Sequence, residues 1–298
     1  MGNDRPFLGI LFMVAFALVA PAMDAMAKAT PAEIPVAQIL AARFGIQSLI
    51  LLPVAFFLGT WVWPVWRSVM LHLVRAGALL LATALFFAAV RQMPIALAIS
   101  IFFVAPLMVT LASAIFLKEP VGPRRVFACL VGFAGAIIVV RPSFADLGWV
   151  ALFPLGTAAL FSTYLLLTRS MAQHVHPITL QAQTAIAAAL LVTPVLVVMD
   201  GSSFVLFDPV WPTGIAIWTL TGVGVIATVS HLFLSFSLRY APAAVVAPLQ
   251  YLEILGATLI GYFVFGDFPD VLTWVGISLI VASGLFVLYR ERLVQNKI

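Results

Sequence analysis

Of the 298 residues, 64% are hydrophobic and 9% are charged, and the mean hydropathy is +1.17. A water-soluble fold of this length needs a charged exterior, so the composition excludes a soluble domain and requires a chain surrounded by lipid. The formal net charge of +4 reflects where lysine and arginine fall between apolar runs and does not indicate nucleic-acid binding.

A hydrocarbon core of about 30 Å takes roughly 20 helical residues to cross. Apolar length and polar breaks predict ten spans, at 6–27, 35–58, 76–91, 94–117, 124–140, 147–168, 177–199, 212–238, 242–265 and 270–289. The first starts as a secretory signal does, with Arg5, an apolar run from Phe7 and small residues at Ala25-Met26-Ala27, but Pro21 and Asp24 inside the run argue for an uncleaved helix. The second carries Arg43, about eight residues and roughly 12 Å below its outer boundary. The third is the shortest, with His72 and Arg75 read as preceding it, and the fourth, from Pro94 to Leu117, has no charge.

The single cysteine, Cys129, lies in the fifth span, so no intrachain disulfide or thiolate metal cluster can form, and no metal or other cofactor is expected. Gly132 and Gly135 in that span, and Gly222 and Gly224 in the eighth, provide small faces for close helix contact. Prolines 21, 53, 106, 154, 194 and 248 fall inside spans, where each permits a kink. Trp61, Trp63, Trp66, Trp149, Trp211 and Trp274 fall near span ends, at headgroup level.

Eleven lysines and arginines, among them Arg67, Arg75, Lys118, Arg124, Arg125, Arg169 and Arg239, fall on one side of this layout, against Lys28, Arg91 and Arg141 on the other. Cationic residues are retained in the cytoplasm, so both termini are expected there, in a multi-pass protein of a bacterial-type cytoplasmic membrane.

The chain also repeats itself. Arg91-Gln-Met-Pro94 opens the fourth span as Arg239-Tyr-Ala-Pro242 opens the ninth, an offset of 148, and the same offset pairs Glu119 with Asp267. Gly135 pairs with Gly284 and Arg141 with Arg290 at an offset of 149. The expected halves are 1–141 and 142–298, with five spans each. An odd number of spans inverts the second copy, and two inverted halves rocking about a central site expose it to each side in turn.

These features resemble the EamA-type drug/metabolite transporter superfamily, on the strength of Ala42-Arg43-Phe44, the run from Phe86 to Val140 with Arg91, Pro94, Pro106 and Lys118-Glu119, and the later copy from Phe233 to Phe286. The resemblance implies an all-α membrane protein of ten helices in two five-helix inverted repeats, with a solute held by the first, third, fourth, sixth, eighth and ninth spans. The pattern from Met23 to Lys28, followed by Pro35-Val36-Ala37-Gln38-Ile39, is similar to a branch containing riboflavin and S-adenosylmethionine uptake proteins. Riboflavin uptake is therefore the leading substrate reading; an amino acid or S-adenosylmethionine carrier, in either direction, and a non-transporting receptor are the alternatives.

Ionisable groups at membrane depth are functional candidates because burying them costs about 2.5–3.5 kcal/mol at a helix centre. Asp24, Arg43, His231 and Glu253 qualify. Arg43 is read as a gating or structural ion pair, with Asp24 or Glu253 as its acceptor. Glu253, flanked by Gln250 and Tyr251, suits solute binding or coupling to protons, and His231 could bond a ring heteroatom or serve as a packing residue. Tyr164 and Tyr251 place a hydroxyl beside an apolar ring, which suits a planar solute. There is no G-x-x-x-x-G-K-[ST] loop to power transport with ATP, and no H-E-x-x-H motif or serine elbow, so an enzyme is not expected.

Overall fold

The computed structural model describes residues 5–93, 95–119, 121–140, 148–204, 206–260, 263 and 271–295. Pro94, Arg141, Asp146, Asp267, Asp270 and Lys297 lie outside them.

The described residues contain helices and no strand. In lipid, each backbone N–H and C=O must be satisfied within its own segment or by neighbouring protein, and an α-helix does this along its whole length. The helices in chain order are α1 (Pro6–Ala29), α2 (Val36–Phe57), α3 (Trp66–Gln92), α4 (Ile95–Phe102), α5 (Ala105–Phe116), α6 (Pro123–Val140), α7 (Leu152–Ala172), α8 (Pro177–Met199), α9 (Ile215–Tyr240), α10 (Ala243–Val246), α11 (Glu253–Ile260) and α12 (Val271–Gln295). A 3₁₀ turn, Gly148–Ala151, leads into α7, and a 3₁₀ segment, Ala247–Leu252, joins α10 to α11. Among the described residues, six helical stretches are long and apolar enough to cross a membrane: α1, α2, α3, α7 with its leading turn, α8 and α9. The other apolar helical stretches are shorter, at 105–116, 243–257 and 274–286.

Helix starts and stops follow local chemistry. α1, α6 and α8 begin with proline, whose missing N–H costs nothing where no helical acceptor exists. After α2 and α8 the chain turns at Gly59 and Gly201, with φ of 62° and 73°, conformations that a Cβ disfavours.

Of the six prolines expected to permit kinks, Pro21, Pro53 and Pro194 sit inside continuous helices, and Pro154 lies in the first turn of α7. Pro106 and Pro248 lie where the chain is broken, and the breaks correspond. Ala105 opens α5 and Glu253 opens α11, separated by the same 148 residues that relate the two halves.

The third segment departs from expectation. α3 runs for 27 residues from Trp66, ten residues before the predicted start, and takes His72 and Arg75 into the helix. Both are buried, Arg75 completely. Arg75 was counted among the loop cations, but it is an interior residue because acceptors on α7 and α8 satisfy its guanidinium. The Arg290 side chain lies outside the described set.

Packing between the halves is reciprocal. α1 lies on α9 and α3 on α7, so the first element of one half meets the third of the other, twice over. α2 lies on α8, α6 on α12, and the broken segment α4–α5 touches its counterpart α10–α11, so like meets like. Two similar halves related by a twofold axis give this pattern.

Glycines set the closest approaches. A Cβ on Gly9 of α1 would lie 2.4 Å from the Ala241 Cβ and 2.9 Å from the Ser237 carbonyl oxygen at the end of α9; at Gly77 of α3 it would meet nothing within 4 Å. Gly9→Ala is therefore expected to destabilise the protein by roughly 1–3 kcal/mol through overpacking. Gly77→Ala is expected to be neutral or stabilising by about 0.5–1 kcal/mol, because alanine restricts the unfolded chain more than glycine does. Thermal unfolding of the two variants in the same detergent compares them directly.

Candidate functional site

α1 and α3 each turn one face to a shared interior space. Phe16, Ala20, Met23 and Asp24 on α1, and Leu79, Ala82, Thr83, Phe86 and Phe87 on α3, recur at spacings of three and four, the period that places side chains on one side of a helix. The cavity between them is completed by Arg43 of α2, Phe102 of α4, Thr157 and Phe161 of α7, His231 of α9 and Glu253 of α11. These are the six segments expected to hold a solute, with Arg43 of the second added.

Five phenylalanines form much of the wall. Phe102 meets Phe86 and Phe161 edge-on, with ring centroids 5.9 and 5.5 Å apart, and Phe16 stands edge-on to the His231 ring at 5.9 Å. The enclosed volume is about 60 Å³. That is room for a few water molecules, well below the roughly 300–1,000 Å³ of small-molecule pockets, so the halves are drawn together here.

Arg43 is fully buried. Its guanidinium carbon lies 4.7 Å from the centroid of the Phe44 ring, one Nη donates to the Thr83 hydroxyl, and the other donates to His231 Nε2 at 2.7 Å. A guanidinium only donates, so His231 Nε2 is an acceptor and the imidazole proton sits on Nδ1. Nδ1 is 3.4 Å from the Tyr164 hydroxyl oxygen and donates to it, and the Tyr164 O–H in turn donates to Gln181 Oε1 at 3.2 Å. His231 is thus held as a neutral imidazole of one tautomer, since a second ring proton would confront the Arg43 N–H.

The chain of bonds ends at Arg75. Its Nη2 donates to Tyr164 at 3.3 Å and Gln181 at 3.1 Å, Nε donates to Thr168 at 2.9 Å, and Nη1 donates to the Thr184 hydroxyl and, at 3.1 Å, to the Leu180 carbonyl. The guanidinium carbon also lies 4.7 Å from the centroid of the Tyr164 ring. Among the described residues, neither arginine forms an ion pair with a carboxylate. Both arginines belong to the first half, and most of their acceptors lie on α7, α8 and α9 of the second.

The residues singled out from sequence therefore separate into three positions. Asp24, Arg43, His231 and Glu253 share the cavity wall. Tyr164 lies behind it as the link from His231 to Arg75. Gln250 and Tyr251 lie within the 3₁₀ segment, fully buried, with Tyr251 edge-on to Phe103 at 5.3 Å and against Gly132, where a Cβ would come within 2.4 Å of the ring. Among the described residues no hydrogen bond or ion pair joins Arg43 to Asp24; the two terminal nitrogens of the guanidinium go to Thr83 and His231. Gly256 brings α11 within backbone contact of α1, where a Cβ would lie 2.9 Å from the Ala17 carbonyl oxygen, and this close approach sets Glu253 beside the α1 wall.

Several polar atoms here have no hydrogen-bond partner among the described residues: Arg43 Nε, Glu253 Oε1, the Tyr251 hydroxyl and both ends of the Gln250 and Gln47 amides. Buried polar groups are rarely left so; Arg43 Nε and Glu253 Oε1 belong to residues of the cavity wall, and Gln250 and Tyr251 to the adjoining broken segment, which marks these as places able to bond something else. Arg75 is the buried polar residue of this network that the sequence reading missed. The signal was present in Tyr164 and Thr168 on α7 and Gln181 and Thr184 on α8, acceptors one turn apart in otherwise apolar helices.

A helical membrane bundle of two reciprocally packed halves around a ring-lined, mostly apolar cavity that carries a few ionisable groups is an architecture suited to a small-molecule membrane transporter. The chain belongs to the EamA-like transporter family, matching it over residues 7–141 and again over 148–289. It is similar to a riboflavin transporter of Vibrio cholerae serotype O1, 27% identical over 96% of this chain and 94% of that one. It is also similar to a riboflavin transporter of Rhizobium johnstonii, 29% identical over 78% and 73% of the two chains, and to an S-adenosylmethionine uptake transporter of Rickettsia felis, 24% identical over 93% and 90%. A solved crystal structure overlays with a TM-score of 0.77 at 20% identity, covering 94% of this chain and 96% of that one, which shows the shared fold.

Replacing Arg75 by Met keeps the stem's bulk and removes all five donated bonds. Gln181 and Tyr164 then lose their strongest donor, and a buried polar group left underpaired costs about 1–3 kcal/mol. Arg75→Met is expected to lower the unfolding temperature in detergent clearly more than Thr168→Val, which deletes one of the five bonds and one back-bond to its own helix.

Proposed function

We propose that the chain is a secondary carrier that moves a small organic metabolite across the cytoplasmic membrane by alternating access, and that riboflavin uptake is its activity. In this reading ten segments cross the membrane as two inverted repeats, 1–141 and 142–298, with both termini cytoplasmic, and the segments broken at α4–α5 and α10–α11 each count as one crossing. The twofold family match and the reciprocal packing support the repeats.

The observation that carries the reading is the cavity itself. Stacking surfaces from five phenylalanines surround a buried donor, Arg43 Nε, and a buried acceptor, Glu253 Oε1, that have no partner among the described residues. A flat heteroaromatic solute with an alternating acceptor and donor edge, such as a flavin, meets both demands. The present volume requires the halves to separate before such a solute enters, which is the motion alternating access supplies. His231, locked between Arg43 and Tyr164, orients the guanidinium, whereas Asp24 and Glu253 are the cavity groups free to exchange a proton or meet a positive charge. Gln250 and Tyr251 come into play as the broken segment moves.

A second reading rests on those two carboxyl groups. Together with the phenylalanine rings they also suit a sulfonium cation, and one of the relatives is an S-adenosylmethionine uptake transporter.

The test is uptake of labelled riboflavin into liposomes containing the purified protein, with S-adenosylmethionine and amino acids as competitors. Saturable riboflavin uptake is expected, reduced by about 10-fold or more in Glu253→Gln, in keeping with loss of a charge-assisted bond of about 1.5–3 kcal/mol. The variant's elution from size-exclusion chromatography is expected to match the parent's. Uptake of S-adenosylmethionine without riboflavin selects the second reading. Ligand binding with no flux of any solute replaces the carrier by a receptor.

A further inference from the structure

Away from the cavity, where α5 leads toward α6, a carboxylate of the first half reaches into the second. Glu119 Oε1 accepts from the Ala243 amide at 3.2 Å and from Arg169 Nε at 3.1 Å, while Oε2 accepts from the Ala244 amide at 3.1 Å. Those amides are the first N–H groups of α10, the start of the broken segment that ends at Glu253. The amides that open a helical turn lack acceptors of their own, and a carboxylate supplies two.

The same contact extends to α9. Arg169 of α7 also donates to the carbonyls of Leu238 and Arg239, at 3.0 and 3.3 Å, so Glu119 is tied directly to the start of α10 and, through this guanidinium, to the end of α9. The backbone is bent to aim this side chain. Lys118 has a φ of 53°, a left-handed conformation that a residue with a Cβ adopts at a cost, and it folds the chain back so that the Glu119 N–H bonds the Ser113 carbonyl at 3.2 Å. Neighbouring contacts differ in kind. Gln173 donates to the same Leu238 and Arg239 carbonyls, at 3.4 and 3.0 Å, but both of its ends lie in the second half.

We infer that Glu119 is a gate residue: its carboxylate holds the head of the broken segment that carries Glu253 against the first half, closing this end of the cavity, and each transport cycle breaks and remakes that contact. The inference rests on the carrier reading, and it assigns to Glu119 a positioning role, exerted on Glu253 through α10 and the 3₁₀ segment without contact with the solute.

Its test reads access to the cavity without any solute. In a Cys129→Ala background, Ala82→Cys places one thiol on the cavity wall, and Arg124→Cys in a parallel sample marks the membrane face of the α5–α6 turn. Labelling by a membrane-impermeant maleimide is timed in right-side-out and inside-out vesicles. Glu119→Gln and Glu119→Ala are expected to speed labelling of the cavity thiol by about fivefold or more, by shifting the population toward the open form, on the marked face alone. Glu119→Asp is expected to fall between them and the parent, and Gln173→Ala, which loses bonds at the same place inside one half, to match the parent. Unchanged labelling in both Glu119→Gln and Glu119→Ala, or equal acceleration on both faces or in Gln173→Ala, overturns the gate. Because no solute is involved, failure of riboflavin uptake leaves this result intact, and a flat labelling response leaves the uptake result intact.

Discussion

A fully buried guanidinium in a lipid-embedded bundle must be satisfied largely by protein, and among the described residues there are two. Arg43 and Arg75 are both fully buried, on adjacent helices of the first half. Each must find its acceptors in protein, and among the described residues those acceptors are neutral: hydroxyls, an amide, a carbonyl and an imidazole nitrogen. Most are supplied by the second half, so the need to satisfy two charges also fastens the halves together. Tyr164 and His231 join the two clusters into one line of hydrogen bonds running from the cavity wall into the α3–α7–α8 interface.

The two broken segments give that interface a place to act. Pro106 and Pro248 each lie at the start of the segment that follows a break, where a ring without an N–H is tolerated, whereas Pro21, Pro53 and Pro194 sit inside continuous helices, so proline permits the break and does not by itself impose it. In the second half the break is long, with six residues in the tighter 3₁₀ form, and Glu253 stands at its end. A segment that is tethered at its head by Glu119, lacks regular α-helix in its middle and presents a carboxyl to the cavity at its tail couples one end of the bundle to the centre. The equivalent position in the first half is Ala105, so the two halves share the break, and the carboxyl stands in only one of them.

Much of this was legible before any coordinates. Among the described residues the apolar lengths located the helices to within a few residues, apart from the start of α3, the internal breaks and the end of α12, which runs to Gln295 where 289 was expected. The repeat at an offset of 148 anticipated that the fourth and ninth segments would behave alike. Asp24, Arg43, His231 and Glu253 stood out because charge at membrane depth is costly, and all four line one cavity. Arg75 did not stand out, because a cation next to a predicted helix start reads as a loop residue, and its place depends on Thr168, Gln181 and Thr184 lying opposite. The partner of Arg43 was likewise open, since Asp24 and Glu253 were both better acceptors on paper than Thr83 or a histidine.

By itself, then, the sequence determined the solvent this protein lives in, the helical class, the duplication and the short roster of polar residues at membrane depth. Those follow from local rules: how many apolar residues span a bilayer, how backbone is satisfied without water, and how residues recur along one chain. Tertiary structure decided who bonds to whom. Arg43 reaches partners 40 and 188 positions away, and Arg75 reaches partners 89 to 109 positions away. Such pairings are set by how each helix is rotated and shifted against its neighbours, through contacts such as Gly9 on Ala241 or Gly256 on Ala17, and a small rotation would hand the same guanidinium to a different acceptor.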